Sequence, residues 1–273
     1  MNTFKKYFII ALGLIMISCE DVIDVDLDTA EPKLMIDASI DWQKNTIGSE
    51  QKIRLSMTTA YYNQEFPKVS GANVIVSNST NTVFNFIENP GTGEYVCTNF
   101  QPVIGEIYTL KVVVNGETYT ATEKMMSVVK IEDNIDQNNE GGMTGDEVEI
   151  TYYYQDGGSE LNYYLYSNRI PQVAFPQYEV EDDDDTQGGL TPVYFSHEDL
   201  KSGDVVNIKL YGISKRYYEY FRKLLNASGN SGNPFSTTPT DVRGNIINQT
   251  NSGNFAYGYF RLSEVDVKDY TIQ

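Results

Sequence analysis

The chain reads as mainly β: an Ig-like β-sandwich followed by a second β-sandwich domain with one amphipathic helix. Three observations predict this. Short runs with period-2 patterning recur through the first half, separated by turn signals. Runs rich in β-branched residues and tyrosine continue through the second half. Helical spacing appears convincingly in a single stretch, residues 215–227.

The first element is a leader. Lys5 and Lys6 precede an apolar, uncharged run at residues 7–17, and Ser18 places a small residue before Cys19. This is the layout of a secretory signal peptide with a cysteine at the cleavage position. It resembles a bacterial lipoprotein signal, which implies that Cys19 is acylated, with palmitate among the expected chains, and becomes the new N-terminus. An ordinary signal peptide with an incidental cysteine is the alternative. The 11-residue run is too short to cross a hydrocarbon core of roughly 30 Å at about 1.5 Å per residue. The expected partner is therefore a membrane reached through lipid, and several acyl chains anchor more firmly than one.

Residues 19–31 read as an acidic tether, in which Asp21, Asp24, Asp26 and Asp28 alternate with aliphatic residues. Strand-like runs follow at 33–40, 51–61, 72–77, 82–87, 93–98, 106–114 and 117–123. Turn signals part them, and the best is Asn115-Gly116, where both residues tolerate positive φ in a two-residue hairpin. Tyr108, Leu110 and Val112 share one face before that turn, and Tyr119 and Ala121 continue it afterwards. Gly105 followed by Tyr108 resembles a tyrosine corner. These runs predict an Ig-like sandwich over 32–130. Residues 131–146 are polar and contain glycine, and read as a linker.

The second domain is expected over 147–273. Strands are predicted at 147–155, 161–169, 193–195 and 205–212, with an acidic loop at 179–190. Ser214 is a candidate N-cap, and Tyr217, Phe221, Leu224 and Leu225 share a helical face. A long loop of Asn, Ser, Thr, Gly and Pro is expected at 228–253, then strands at 255–262 and 265–272.

Composition excludes some partners. Removing residues 1–18 takes away two lysines and no acid, leaving 18 basic against 38 acidic residues, a formal charge of −20. Such a surface repels nucleic acid, whose binding neutralises phosphates with Lys and Arg. It also repels anionic head groups, so the membrane link is expected to be lipid and not a basic patch. With Cys19 acylated, Cys97 has no partner for a disulfide.

Candidate chemistry is sparse. His197 is the single histidine, and the neighbouring Ser196 lies in no nucleophile motif, so a turn or cap role is expected. Glu179, Glu181 and Asp182 to Asp185 could gather around calcium, but they lack EF-hand spacing and equally form a solvated loop. No catalytic residue, metal site or cofactor is predicted. Tyr152, Tyr154 and Tyr164 admit two readings: an exposed face that stacks on sugars or a partner, or the cover of a half-buried sheet. In the long loop, Phe235 beside Asn233 and Pro234 either pins the loop to the core or reaches a partner.

Several blocks carry a wider resemblance. Tyr217-Tyr218-Glu219-Tyr220-Phe221 precedes Asn233-Pro234-Phe235-Ser236, then Gly244-Asn245-Ile246 and Ala256-Tyr257-Gly258-Tyr259-Phe260. With the Cys19 start and Ile36-Asp37-Ala38, the chain resembles an uncharacterised family of Bacteroidota outer-membrane lipoproteins, known only as a domain of unknown function. Members are often encoded beside TonB-dependent receptors. The resemblance implies a non-catalytic accessory lipoprotein of such a receptor in nutrient capture. Asn233, Pro234, Phe235, Tyr152, Tyr154 and Tyr164 are then the candidate partner contacts. It carries over no catalytic residue. Glu20 and Asp21 resemble acidic export tags, which would place the protein at the cell surface. A fimbrial subunit built by strand addition, with a displaceable strand at 266–272, and a surface glycan-binding protein are the alternatives.

Overall fold

Strand alternation builds the first core. In β1 (Leu34–Gln43), Leu34, Ile36, Ala38 and Ile40 point inward while Asp37, Ser39 and Asp41 point out. β2 (Gln51–Met57) buries Ile53 and Leu55 and turns Lys52 and Arg54 outward. β3 (Asn73–Asn78), β4 (Val83–Asn89), β5 (Glu94–Cys97), β6 (Ile107–Val114) and β7 (Glu117–Met126) follow. The β6–β7 turn uses Asn115 at φ 51° and Gly116 at φ 78°, the paired positive values that a two-residue hairpin requires. The buried Tyr108 hydroxyl accepts from Val103 N–H at 3.0 Å and donates to the Gln101 carbonyl at 2.7 Å, fixing the corner that precedes β6. Cys97 is buried and free in this core.

The computed structural model describes residues 31–60, 63, 65–158, 160–184, 188–228 and 241–273. The chain is mainly β. β8 (Ile131–Gly141), β9 (Glu147–Gln155) and β12 (Leu190–His197) form a three-stranded sheet in the order β12-β9-β8. β10 (Tyr163–Arg169), β11 (Gln177–Asp182), β13 (Val205–Ile213), the two-residue β14 (Ile247–Asn248) and β15 (Tyr257–Thr271) join the first seven strands in one large sheet. Its order is β11-β10-β13-β15-β1-β2-β5-β4-β3-β6-β7-β14, and β15 also pairs with β7. The strands from β15 round to β7 thus close on themselves, giving a barrel-like sheet and not a plain pair of sandwiches.

β15 joins the two halves. Its first nine residues lie parallel to β1, and residues 265–271 run antiparallel to β13. The expected break between residues 255–262 and 265–272 does not occur. Gly258, at φ +102°, lets β15 approach β1; a Cβ there would stand 2.0 Å from the Ile36 carbonyl oxygen.

Three expectations are corrected. The predicted linker at 131–146 contains β8, and Pro32–Gln273 is one compact unit. β8 is an edge strand that buries little beyond Ile131 and part of Ile135, so its exposed Asp, Asn and Gln resemble a linker. The acidic loop at 179–190 begins as strand, because Glu179 and Glu181 pair with Tyr166 and Tyr164 in β11–β10. The long loop at 228–253 is interrupted by β14, which pairs with β7.

A second core fills the space between the three-stranded sheet and β10, β13 and the end of β15. On the opposite face of those strands lies α1 (Lys215–Ala227), the one helix among the described residues. Ser214 caps it, its side chain accepting from Tyr217 N–H at 3.2 Å. Tyr217 and Tyr218 anchor the first turn, while Phe221 and Leu225 are only half-buried. A third core of Leu165, Val180, Tyr211, Ile213 and Val265 lies beneath them. No described helix is long and apolar enough to cross a membrane.

Candidate binding site

The outward positions of β1, β2 and β15 meet α1 across a groove of about 570 Å³. Because β1 and β15 are parallel and in register, Asp37 lies beside Tyr259 and Ser39 beside Arg261. Tyr211 comes from β13, Tyr178 stands at the start of β11, and α1 contributes Tyr217, Tyr220 and Phe221. Strand alternation thus places carboxylates and guanidinium on one wall, and helical spacing places aromatic rings on the other.

Arg261 is the centre of this arrangement. It is only 5 % exposed. Its guanidinium carbon lies 4.8 Å from the Tyr211 ring centre and 5.2 Å from that of Tyr217. Nη2 donates to Asp41 Oδ1 at 2.8 Å. Nε and Nη1 are buried and have no hydrogen-bond partner among the described residues. Desolvation works against the charge, but the Asp41 carboxylate, with Asp37 behind it, outweighs it and holds the guanidinium pKa above its usual value. Burial likewise raises the phenols of Tyr211 and Tyr217, which stay protonated. Farther along the wall Arg54 sits 3.8 Å from Asp37 and 3.4 Å from Glu94, and Lys52 lies 3.5 Å from Glu94. Tyr259 donates to Glu123 at 3.0 Å, and Ser214 donates to the same carboxylate at 3.2 Å, tying the start of α1 to β7 and β15. The groove offers ring faces, donors and acceptors, which is the chemistry of recognition.

The residues singled out from sequence fall elsewhere. Tyr152, Tyr154 and Tyr164 are 0 %, 1 % and 2 % exposed, so their assignment as partner contacts is corrected. β9 alternates Ile150, Tyr152 and Tyr154 inward, and β10 sends Tyr164 and Tyr166 to meet them. The Tyr154 and Tyr166 hydroxyls hydrogen-bond to each other at 2.9 Å, so these phenols satisfy their polar ends within the core. Cys19, Asn233, Pro234 and Phe235 lie outside the described residues.

His197, Glu179 and Glu181 do share a second groove, of about 720 Å³, with Phe175 and Arg222. His197 is occupied in its own turn, where Nδ1 accepts from Asp199 N–H at 3.1 Å. Desolvation raises the Glu179 and Glu181 carboxyls, an effect that their exposed positions limit. Asp183 departs from the other described acids of the run: it is fully buried and accepts twice from Asn162, at 2.8 and 2.9 Å. Asp156 lies in the same polar pocket, with Gly188 N–H at 2.8 Å and Gly158 N–H at 3.0 Å on its carboxylate. Among the described residues no group of three His, Cys, Asp or Glu side chains is placed to hold a metal.

Sequence reasoning missed Arg261 and Asp41, which lie far apart in the chain. The available signal was an arginine inside the apolar run Tyr259-Phe260-Arg261-Leu262, and acids at two outward positions of β1, Asp37 and Asp41.

Comparison with known proteins gives one substantial match. A family model described as a domain of unknown function, DUF4249, matches residues 20–269. No curated protein matches. Among solved structures, a segment of two fibronectin type-III domains from chicken tenascin shares 13% identity, covering 66% of this chain and 90% of that chain, with a TM-score of 0.22. A DUF4785 family protein from Legionella pneumophila shares 9% identity over 66% of this chain and 52% of its own, with a TM-score of 0.27. A cytokine receptor complex shares 8% identity over 68% and 86%, with a TM-score of 0.26. At such scores these likenesses decide nothing about the architecture.

Proposed function

We propose, for a chain that belongs to the domain-of-unknown-function family DUF4249, a non-catalytic binding role as a lipid-anchored outer-membrane protein. It acts as an accessory partner of a TonB-dependent receptor in nutrient capture. The observation that carries the binding role is the Arg261 groove, a concave site with aromatic walls and buried donors lacking acceptors. The Cys19 leader supports the anchor. Confinement in the membrane plane beside a transporter raises effective concentration, so weak contacts suffice.

We read the first half as an Ig-like sandwich. The runs β1-β2-β5-β4 and β3-β6-β7 support this, since they match the strand order of a constant-type domain. The fimbrial alternative needs a displaceable strand at 266–272. Residues 265–271 instead continue β15 and pair with β13, which disfavours that reading.

Mild-detergent purification of the tagged protein from its native membrane tests the role. A TonB-dependent barrel in near-equal amount is expected, and a ladder of self-polymers would reject it. Radiolabelled palmitate is expected to enter the wild type and not the Cys19→Ser variant.

A further inference from the structure

We propose that the groove between α1 and the outward face of β1 and β15 binds a neutral oligosaccharide. Asp37, Asp41 and Arg261 take its hydroxyls, and Tyr178 and Tyr220 stack on its rings. This rests on the binding role above and adds the ligand class.

The first argument is a missing acceptor. The three N–H bonds on Nε and Nη1 of Arg261 have no partner among the described residues, although the residue is 5 % exposed. Buried donors are rarely left so, because the desolvation cost is not returned. The unmet need lies in a groove, where an occupant can meet it.

The second argument is charge. Arg261 is already paired with Asp41, Arg54 with Asp37 and Glu94, and Lys52 with Glu94. Glu50 adds a further acid to the lining. The whole chain carries a formal charge of −18. An anionic ligand would enter against this field, so the missing acceptor is a neutral oxygen. The carboxylates of Asp37 and Asp41 are 51% and 41% exposed and still accept hydrogen bonds. A hydroxyl both accepts from a guanidinium and donates to a carboxylate, so neighbouring hydroxyls on one sugar ring serve both groups.

The third argument is shape. Tyr178 is 37% exposed, and Tyr220 and Phe221 are half-buried along the groove. Their faces suit the C–H faces of pyranose rings. The volume of about 570 Å³ lies within the usual range for small-molecule sites. Nε and Nη1 have almost no exposed surface. A sugar hydroxyl therefore reaches them when Tyr217, whose ring lies over the guanidinium, moves together with its half-buried neighbours Tyr220 and Phe221.

The test uses the full-length lipidated protein in mild detergent. An array of neutral oligosaccharides, with oligogalacturonides as the acidic comparison, is followed by titration calorimetry on each hit. At least one neutral oligosaccharide is expected to bind and no oligogalacturonide. Asp37→Ala and Tyr220→Ala are each expected to weaken binding tenfold or more; the exposed Asp37→Ala leaves the thermal midpoint unchanged, whereas Tyr220→Ala lowers it by the packing it loses against Tyr217 and Tyr259. Binding of acidic glycans alone, failure of every neutral one, or binding that survives both substitutions overturns the site. A receptor that copurifies while no sugar binds overturns the site and leaves the accessory role standing. Sugar binding without a copurifying receptor does the reverse.

Discussion

Asn245 grips the backbone of Phe260 with both ends of its amide. Nδ2 donates to the Phe260 carbonyl at 2.8 Å, and the Phe260 N–H donates to Oδ1 at 2.8 Å. Asn245 is 2 % exposed, so water cannot replace either bond. The Gly244-Asn245-Ile246 and Ala256-Tyr257-Gly258-Tyr259-Phe260 blocks are therefore two sides of one clasp.

Breaking the clasp leaves a buried N–H and a buried carbonyl unmet. Asn245→Ala is expected to cost about 2–4 kcal/mol. Asn245→Asp should cost at least as much, since a carboxylate then faces the Phe260 carbonyl. Urea denaturation checks both; a loss below about 1 kcal/mol for each would show the clasp to be ornamental.

Gly258→Ala meets two obstacles at once. The backbone is at φ +102°, and the new Cβ would collide with the Ile36 carbonyl. The expected loss is about 2 kcal/mol or more, read as a lowered denaturation midpoint. An unchanged midpoint would mean that β1 and β15 separate without cost.

The core tyrosines give a contrast between ring and hydroxyl. Tyr152 is fully buried, and its hydroxyl makes no well-formed hydrogen bond among the described residues. Tyr152→Ala is expected to lose about 3–5 kcal/mol by leaving a cavity. Tyr152→Phe should change stability by less than about 1 kcal/mol. Chemical denaturation of both variants decides it, and equal losses would contradict the assignment.

Asp156 and Asp183 should respond to pH in opposite senses. Desolvation raises the Asp183 carboxyl above the usual carboxylate range. Asp156 is desolvated too, but hydrogen bonds from Gly188, Asp183 and Gly158 bring it below that range. The raised Asp183 favours the folded state below the unfolded pKa of about 3.9, and that advantage is lost as pH rises through its folded value. The lowered Asp156 stabilises above about 3.9, and this is lost as pH falls through its folded value. Relative to wild type, Asp183→Asn should therefore gain stability as pH rises from about 4 to 7. Asp156→Asn should lose ground as pH rises toward about 4 and then level off. Urea midpoints from about pH 2.5 to 7 supply the readout, and parallel curves for the two variants would refute the pairing.

What sequence made legible was local. Alternation in β1, the Asn115-Gly116 turn and the Ser214 cap each depend on neighbours in the chain, and each has its counterpart in the structure. Composition misled where burial was shallow, as in β8, whose polar residues face water along a sheet edge. The tyrosines of β9 and β10 were ambiguous because a phenol suits both a surface and a core with a second phenol to bond. The groove was invisible for another reason. Arg261 meets Asp41 only because β15 lies parallel to β1, a long-range pairing that no local pattern encodes.

That pairing also fixes an order of events in the cell. The strand that seals the first core against β1 follows it only after every other strand of that core, so the early strands wait for it before they can close. A nascent chain held open in this way keeps its first core exposed until that strand emerges. It should also resist being divided into separately expressed halves, since each fragment would lack a wall that the other supplies.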